Sequence, residues 1–300
     1  MNAKYFGCVL TIAALLMGTN LAQAETISEV LFSENFDSYN TGELAGQVHP
    51  LGTWANQAEN WNGSVHVIAD PRDANSKVMA SGTLADGASR HYGAQLMFAN
   101  DGERDDRLVF TPADSNVEVN FSFAINKNGT TVATTRFYVN MFRFKEDGTK
   151  LGAAADGGAG SLSVNTDKYS GRRALLGQYN GVSLHGDTFT NNVWYEAKVI
   201  YDFSVPGVSA TYKYREQGDT EWITDGALHD ANLNLPSNED GNYVSAGIFF
   251  YVGSFNTSPQ YGFVDDISIV RVVPEPGTLA LLTCGLFGLA AYAWRKRRQQ

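Results

Sequence analysis

The chain has 300 residues, with 22 Lys and Arg against 32 Asp and Glu and a formal net charge of −10. This acidic balance argues against a partner such as nucleic acid or an anionic membrane surface, because binding to either needs basic patches. The two cysteines, Cys8 and Cys284, fall in apolar stretches near the two ends of the chain. The sequence therefore predicts a central region without a disulfide or a thiol nucleophile.

Residues 1–24 have the pattern of a signal peptide. Lys4 precedes an apolar run over residues 6–17, and Ala22-Gln23-Ala24 supplies small residues at the expected cleavage site. We expect the mature chain to begin at Glu25 and to be exported.

Residues 25–272 have the pattern of strands joined by turns. In the clearest strand, residues 117–125, every second residue is apolar, from Val117 to Ile125. Further strands are predicted at 29–32, 64–69, 77–81, 136–144, 193–203, 209–215, 243–252 and 261–272. Helical periodicity is missing before residue 273. The sequence therefore predicts one all-β domain, a two-sheet antiparallel β-sandwich over residues 25–272.

The C-terminal stretch has three parts. Pro274, Glu275 and Pro276 come first, residues 278–294 follow without a charged side chain, and Arg295, Lys296, Arg297 and Arg298 come last. Seventeen residues in a helix span about 26 Å, close to the hydrocarbon thickness of a bilayer. Basic residues stay on the cytoplasmic side. The pattern therefore predicts a transmembrane helix over 278–294 with the rest of the domain outside the cytoplasm.

Taken together, these three parts resemble the PEP-CTERM sorting signal of Gram-negative bacteria, over residues 273–300. The resemblance implies recognition by an exosortase and cleavage near Pro274, Glu275 and Pro276. The helix would then anchor the protein only transiently, before it reaches the cell surface or the extracellular space. An ordinary C-terminal tail anchor is the alternative.

Three stretches of the central region resemble concanavalin A-like jelly rolls and laminin-G-like modules. They are residues 32–37 with 42–47 and Trp54, residues 192–197, and the closing strand 263–269. The resemblance implies a jelly-roll fold. It leaves the function open, because this fold carries lectins, hydrolases, lyases and structural modules.

Asp265 is the most informative carboxylate of the closing strand. Alternation predicts that it shares an inward face with Phe263, Ile267 and Ile269, while Asp266 points away. A carboxylate on a buried face must be hydrogen-bonded or bound to a cation.

A structural calcium ion is what the jelly-roll resemblance implies here. Related sugar-binding modules use an aspartate at this place together with acidic residues of the first strand. The matching oxygen donors are Glu34, Asp37 and Asp265, which suit a hard cation. The alternative is that Asp265 accepts backbone N–H groups at a sheet corner.

Four aromatic residues in loop-like contexts are candidates for contact with a saccharide, since ring faces stack on sugars. They are Trp54, Trp61, Tyr92 and Tyr179, and packing in the core is the alternative for each of them.

No catalytic residue is assigned. The sequence has no Glu-x-Asp-x-x-Glu strand, no His-Glu-x-x-His and no Gly-x-Ser-x-Gly. The pair His91-Tyr92 leaves a lyase open. We expect a non-catalytic module that binds carbohydrate or exopolysaccharide. The alternatives are a structural biofilm protein without a specific ligand and a polysaccharide-cleaving enzyme.

Overall fold

The computed structural model describes residues 27–56, 65–82, 90–98, 107–127, 135–142, 162–165, 175–176, 179–180, 182–185, 190, 192–224, 231–254 and 260–273. The chain divides into two compact units, residues 30–271 and residues 1–29 with 272–300. The account below concerns the first unit. The predicted signal peptide 1–24 and the predicted transmembrane helix 278–294 lie outside the described residues. Within those residues, no helix is long and apolar enough to cross a membrane.

The larger sheet has nine strands. They are β1 (Ile27–Glu34), β2 (Gly42–Glu43), β5 (Val65–Ala69), β6 (Lys77–Gly82), β9 (Val117–Lys127), β15 (Trp194–Asp202), β16 (Ser209–Glu216), β17 (Ala231–Asn232) and β20 (Gln260–Val273). Their order in the sheet is β17-β16-β15-β9-β20-β6-β5-β2, and β1 pairs with β20 beside this path.

The second sheet has seven strands. They are β3 (Val48–His49), β4 (Gly52–Asn56), β7 (Arg90–Met97), β10 (Thr135–Asn140), β11 (Leu162–Asn165), β14 (Val182–His185) and β19 (Gly247–Ser254). Their order is β14-β11-β10-β19-β7-β4-β3. Most neighbouring strands are antiparallel, and β11 pairs with β14 in parallel. Two further pairs join β8 (Leu108–Phe110) to β18 (Tyr243–Ser245) and β12 (Leu175–Leu176) to β13 (Tyr179–Asn180).

The core lies between the two large sheets. Phe121 and Val199 of the nine-stranded sheet and Trp54, Leu96 and Phe250 of the seven-stranded sheet belong to one buried cluster. Each large apolar side chain buried in this way contributes about 1.5–3 kcal/mol to folding. The predicted all-β class and the two-sheet sandwich are therefore confirmed.

The predicted strands agree with the structure where one face of a strand is buried. Val117, Val119, Phe121 and Phe123 all lie in the core, as the alternation along β9 predicts. The predicted strand 243–252 is wrong as a single element. It is interrupted at Ala246, and its two parts, β18 and β19, pair in different sheets.

The face predicted for Asp265 is also wrong. Val264 lies in the core between the sheets, whereas Phe263 packs on the opposite face of the sheet beside Trp194. The pairing of β20 with β9 shifts between Asp265 and Ser268, and Asp266 has a φ of 51°. This β-bulge reverses the alternation, so Ile267 faces the core again. Asp265 therefore lies on the outer face of the nine-stranded sheet.

Candidate functional site

The outer face of the seven-stranded sheet is the candidate site. Along β7 and β19, Ala94, Leu96, Ile248 and Phe250 belong to the core cluster. Side chains of a strand alternate between the two faces. The outer face is therefore formed by the residues of β7 and β19 that alternate with these core positions. Residues paired with them on neighbouring strands lie on the same face.

One row of this face combines aromatic and hydroxyl-bearing residue types. Tyr251 pairs with Gly93 on one side and with Tyr138 on the other. Tyr138 pairs with Ser163, which pairs with Ser183. Gly93, next to Tyr251 in this row, is buried. The row thus places Tyr138 and Tyr251 at neighbouring positions on adjacent strands.

The next row carries cationic and amide residue types. His91 pairs with Gly253, and Gly253 pairs with Arg136. The row continues from Arg136 to Asn165 and from Asn165 to His185. Five strands that are far apart in sequence contribute to it, and all of these residue types form hydrogen bonds.

A third row, at the other end of this face, is covered. Phe249 pairs with Gln95 and with Asn140, and both Phe249 and Asn140 are buried. Asn140 Oδ1 accepts the N–H of Phe142 at 2.7 Å. Its buried Nδ2 has no hydrogen-bond partner among the residues that the structure describes. We therefore place the candidate site on the two rows of Tyr138 and Arg136, with the Asn140 row as its closed end.

The four aromatic residues predicted to contact a ligand have different positions. The prediction for Trp54 is wrong, because only 1% of its surface is exposed. Its ring lies in the core, with its centroid 5.6 Å from that of the Phe250 ring. Tyr92 and Tyr179 lie in strands β7 and β13 rather than in loops. Position 92 alternates in phase with the core residues of β7. Trp61 lies outside the described residues.

Glu34, Asp37 and Asp265 each bind protein donors. Glu34 Oε1 accepts the N–H of Phe36 at 2.6 Å, and Oε2 accepts the hydroxyl of Tyr39. Asp37 Oδ1 accepts the hydroxyl of Ser76 at 2.8 Å. The part of the chain that the structure describes contains no group of three His, Cys, Asp or Glu side chains that could hold a metal ion. The three carboxylates predicted to bind calcium are thus not brought together.

Glu34 anchors a buried polar chain at the start of the domain. Trp54 Nε1 donates to the hydroxyl of Tyr39 at 2.8 Å, and that hydroxyl donates to Glu34. Burial, and next the hydrogen bond with Glu34, raise the pKa of Tyr39. His49 Nε2 lies 4.0 Å from Glu34 Oε2. This row of hydrogen bonds satisfies polar groups inside the core, so its role is structural.

Asp265 belongs to a charged cluster on the outer face of the nine-stranded sheet. Arg72 Nη2 lies 2.5 Å from Asp265 Oδ2 and 2.6 Å from Asp70 Oδ2. The guanidinium also covers the ring of Trp194, 3.7 Å from its centroid. One cation thus serves two carboxylates and an aromatic ring.

The two carboxylates of this cluster have opposite pKa shifts. Burial alone would raise the pKa of Asp70, but the hydrogen bonds from Arg72 hold this pKa below its usual value. Burial, and next the charge of Asp266, raise the pKa of Asp265 to about 7. The backbone N–H of Asp266 and the guanidinium of Arg72 lower the pKa of Asp265, but by less than burial raises it. Within the described part of the chain, Asp265 Oδ1 has no hydrogen bond of ordinary geometry.

Several solved structures are similar to this chain at low identity. A carbohydrate esterase from the Shiga toxin-encoding bacteriophage phi24B has a TM-score of 0.43 and 14% identity, with 82% of this chain and 100% of the esterase covered. The exoplasmic/lumenal domain of VIP36, in a Ca²⁺/Man3GlcNAc-bound form, has a TM-score of 0.41 and 11% identity, covering 85% and 93%. The CBM22-1 xylan-binding domain of Paenibacillus barcinonensis Xyn10C has a TM-score of 0.32 and 10% identity, with 84% of this chain and 100% of the xylan-binding domain covered. Since all three TM-scores are below 0.5, the sandwich described above rests on its own strands and their pairing.

The comparison with curated proteins found no match. A family model, the PEP-CTERM protein-sorting motif, matches residues 272–298. This range contains Pro274, Glu275, Pro276 and the basic tail, so the predicted sorting signal is confirmed. The chain therefore carries a PEP-CTERM protein-sorting motif, which marks it for export and for sorting by an exosortase.

Proposed function

We propose that the exported domain binds polysaccharide on the outer face of its seven-stranded sheet and is not an enzyme. The observation that carries this proposal is the pair of adjacent rows on that face. One row offers Tyr138 and Tyr251 beside Gly93, and the other offers Arg136 and Asn165. Aromatic rings stack on the apolar faces of sugars, while amide and cationic groups bind their hydroxyl or acidic groups.

The site extends across strands rather than forming a closed pocket. The two rows run over strands β7, β19, β10, β11 and β14. Neighbouring strands lie about 4.8 Å apart, so five strands span about 19 Å. A surface of this length suits several consecutive sugar units of a chain better than a single monosaccharide.

The sorting motif bears on the cellular location at which the domain would bind its proposed ligand. We assign recognition to residues 273–300 and cleavage to the neighbourhood of Pro274 and Pro276, followed by release of the domain to the cell surface or extracellular matrix. Mass spectrometry of the mature C-terminus tests this part, in cells with and without an exosortase. An unchanged full-length C-terminus in the presence of the exosortase would favour an ordinary tail anchor.

Binding is tested with the full chain in mild detergent against a panel of neutral and acidic polysaccharides. We expect Tyr251→Ala to weaken binding about tenfold, because an aromatic contact contributes about 1.5 kcal/mol. Trp222→Ala is the matched control, since Trp222 lies against Arg215 of the nine-stranded sheet. Far-UV circular dichroism verifies that both variants fold. If the folded chain binds no polysaccharide in the panel, the proposal of polysaccharide binding is refuted. A role as a structural matrix protein without a specific ligand would then replace it. Shortened saccharide products would instead identify an enzyme.

A further inference from the structure

Two cations near the connection between β5 and β6 bind distant parts of the chain. Arg72 Nη2 lies 2.5 Å from Oδ2 of Asp265 in the closing strand β20. Lys77 Nζ donates to the carbonyl oxygens of Asp37 at 2.8 Å and of Tyr39 at 2.6 Å, in the turn that follows β1. One short segment therefore brings positive charge both to the beginning of the domain and to its closing strand.

The turn after β1 offers oxygen atoms to a cation. It reverses direction at Phe36, whose φ is 61°, and the N–H of Tyr39 donates to the carbonyl oxygen of Phe36 at 3.2 Å. The carbonyl oxygens of Asp37 and Tyr39 accept the ammonium group of Lys77. The Asp37 carboxylate lies at the same corner, because its Oδ1 accepts the backbone N–H of Lys77 and the hydroxyl of Ser76, each at 2.8 Å. Carbonyl and carboxylate oxygens are the ligands that calcium takes in proteins.

We infer that Lys77 and Arg72 replace a structural calcium ion, so that the domain holds its fold without calcium. The jelly-roll resemblance implies such an ion on Glu34, Asp37 and Asp265. In this structure the turn that contains Asp37 takes its positive charge from Lys77. Asp265 takes its positive charge from Arg72. The oxygens of Glu34 already accept a tyrosine hydroxyl and a backbone N–H.

Hydrogen bonds within the connection hold the two cations in place. The N–H of Asp70 donates to the carbonyl oxygen of Ser76 at 2.9 Å, and the N–H of Ser76 donates to that of Asp73 at 3.0 Å. The buried Asp70 carboxylate accepts the backbone N–H of Arg72 at 2.7 Å and its Nη2 at 2.6 Å. Arg72 and Lys77 thus extend from one ordered backbone, which reduces the entropy lost when they bind their partners. Cations positioned in this way are present at every calcium concentration.

The test compares melting temperatures of the full chain in mild detergent, by far-UV circular dichroism, with excess calcium and with the chelator EGTA. We expect the same melting temperature in both solutions. Lys77→Met keeps the aliphatic part of the side chain and removes the ammonium group. It should melt about 5–10 °C lower in both solutions, because hydrogen bonds to a charged group are lost. Lys213→Met is the matched control, since Lys213 of β16 lies opposite Lys198 and its removal relieves repulsion. The melting temperature of this control should not fall.

Lys77→Ala tests whether the oxygen atoms of the turn form a cation site. With the ammonium group and most of its stem removed, calcium should raise the melting temperature of this variant by several degrees, as for any ligand that binds only the folded state. A variant that does not respond to calcium overturns the replacement, and so does Lys77→Met if it melts like the original chain. A fall in the melting temperature of the original chain in EGTA also overturns the inference. This last comparison decides the question even if the variants do not fold.

Discussion

Replacing Asp265 with Asn should remove a specific part of the pH dependence of stability. Only 3% of the surface of Asp265 is exposed, and its pKa in the folded protein is raised from 3.8 to about 7. The folded state therefore binds more protons than the unfolded state between pH 4 and pH 7. Its free energy of unfolding must fall as the pH rises through this range.

The size of the effect follows from the two pKa values of Asp265. The pKa of Asp265 differs by about three units between the folded and unfolded states, which corresponds to about 4 kcal/mol in the free energy of unfolding. About 2 to 3 kcal/mol of this change falls between pH 5 and pH 8. In Asp265→Asn the amide cannot ionise, so this contribution disappears. Arg72 remains held by Asp70, which limits the structural damage.

The assay is urea unfolding followed by tryptophan fluorescence at pH 5 and pH 8, with Asp266→Asn as the matched control. Asp266 is exposed and adopts a left-handed conformation that Asn tolerates well. The control should keep the pH dependence, with a slightly lower midpoint, because the charge of Asp266 helps to raise the pKa of Asp265. If Asp265→Asn shows the same stability difference between pH 5 and pH 8 as the original chain, the assignment of a buried ionisable group is refuted.

Three further predictions concern the core and the predicted metal ligands. Trp54→Ala should lower the free energy of unfolding by about 3–5 kcal/mol, as measured by urea titration, and a smaller loss would show that the ring is not packed as described. Glu34→Ala should cost about 2–4 kcal/mol, because Tyr39 and a backbone N–H lose a buried acceptor; Glu34→Gln should recover part of this loss. Calcium should not raise the melting temperature through Glu34, Asp37 and Asp265, since each accepts protein donors. A calcium-dependent rise that Asp37→Asn abolishes would restore the predicted metal site.

The strands with one buried face were predictable from sequence alone. Along β9 and β15 the apolar residues recur at every second position, and the core selects that face. The bulge at Asp266 was not predictable in this way, since a single left-handed residue reverses the alternation without changing the residue pattern. Trp54 was misread because β4 is a short strand between segments rich in Gly and Asn, whose composition resembles that of a loop.

The candidate site itself was hidden from sequence reasoning. Its rows assemble from strands between residue 90 and residue 254, and only the pairing register shows that Arg136 and Tyr251 share a face. One signal was available in the sequence. The segments 90–97 and 247–254 combine glycine and aromatic residues and contain no carboxylate, unlike most of this acidic chain.

The ends of the two strand orders bear on how the protein behaves at high local concentration. The nine-stranded order ends in the two-residue strands β17 and β2, and the seven-stranded order ends in β3, also of two residues, and in the four-residue β14. Such short strands offer few unpaired backbone groups to a neighbouring molecule, which discourages edge-to-edge aggregation at these four ends. The eight-residue β1, which pairs with β20 beside this order, is the longer strand to which another copy could add. Crowded copies would therefore extend one another's sheets more readily along β1 than at the ends of the two strand orders.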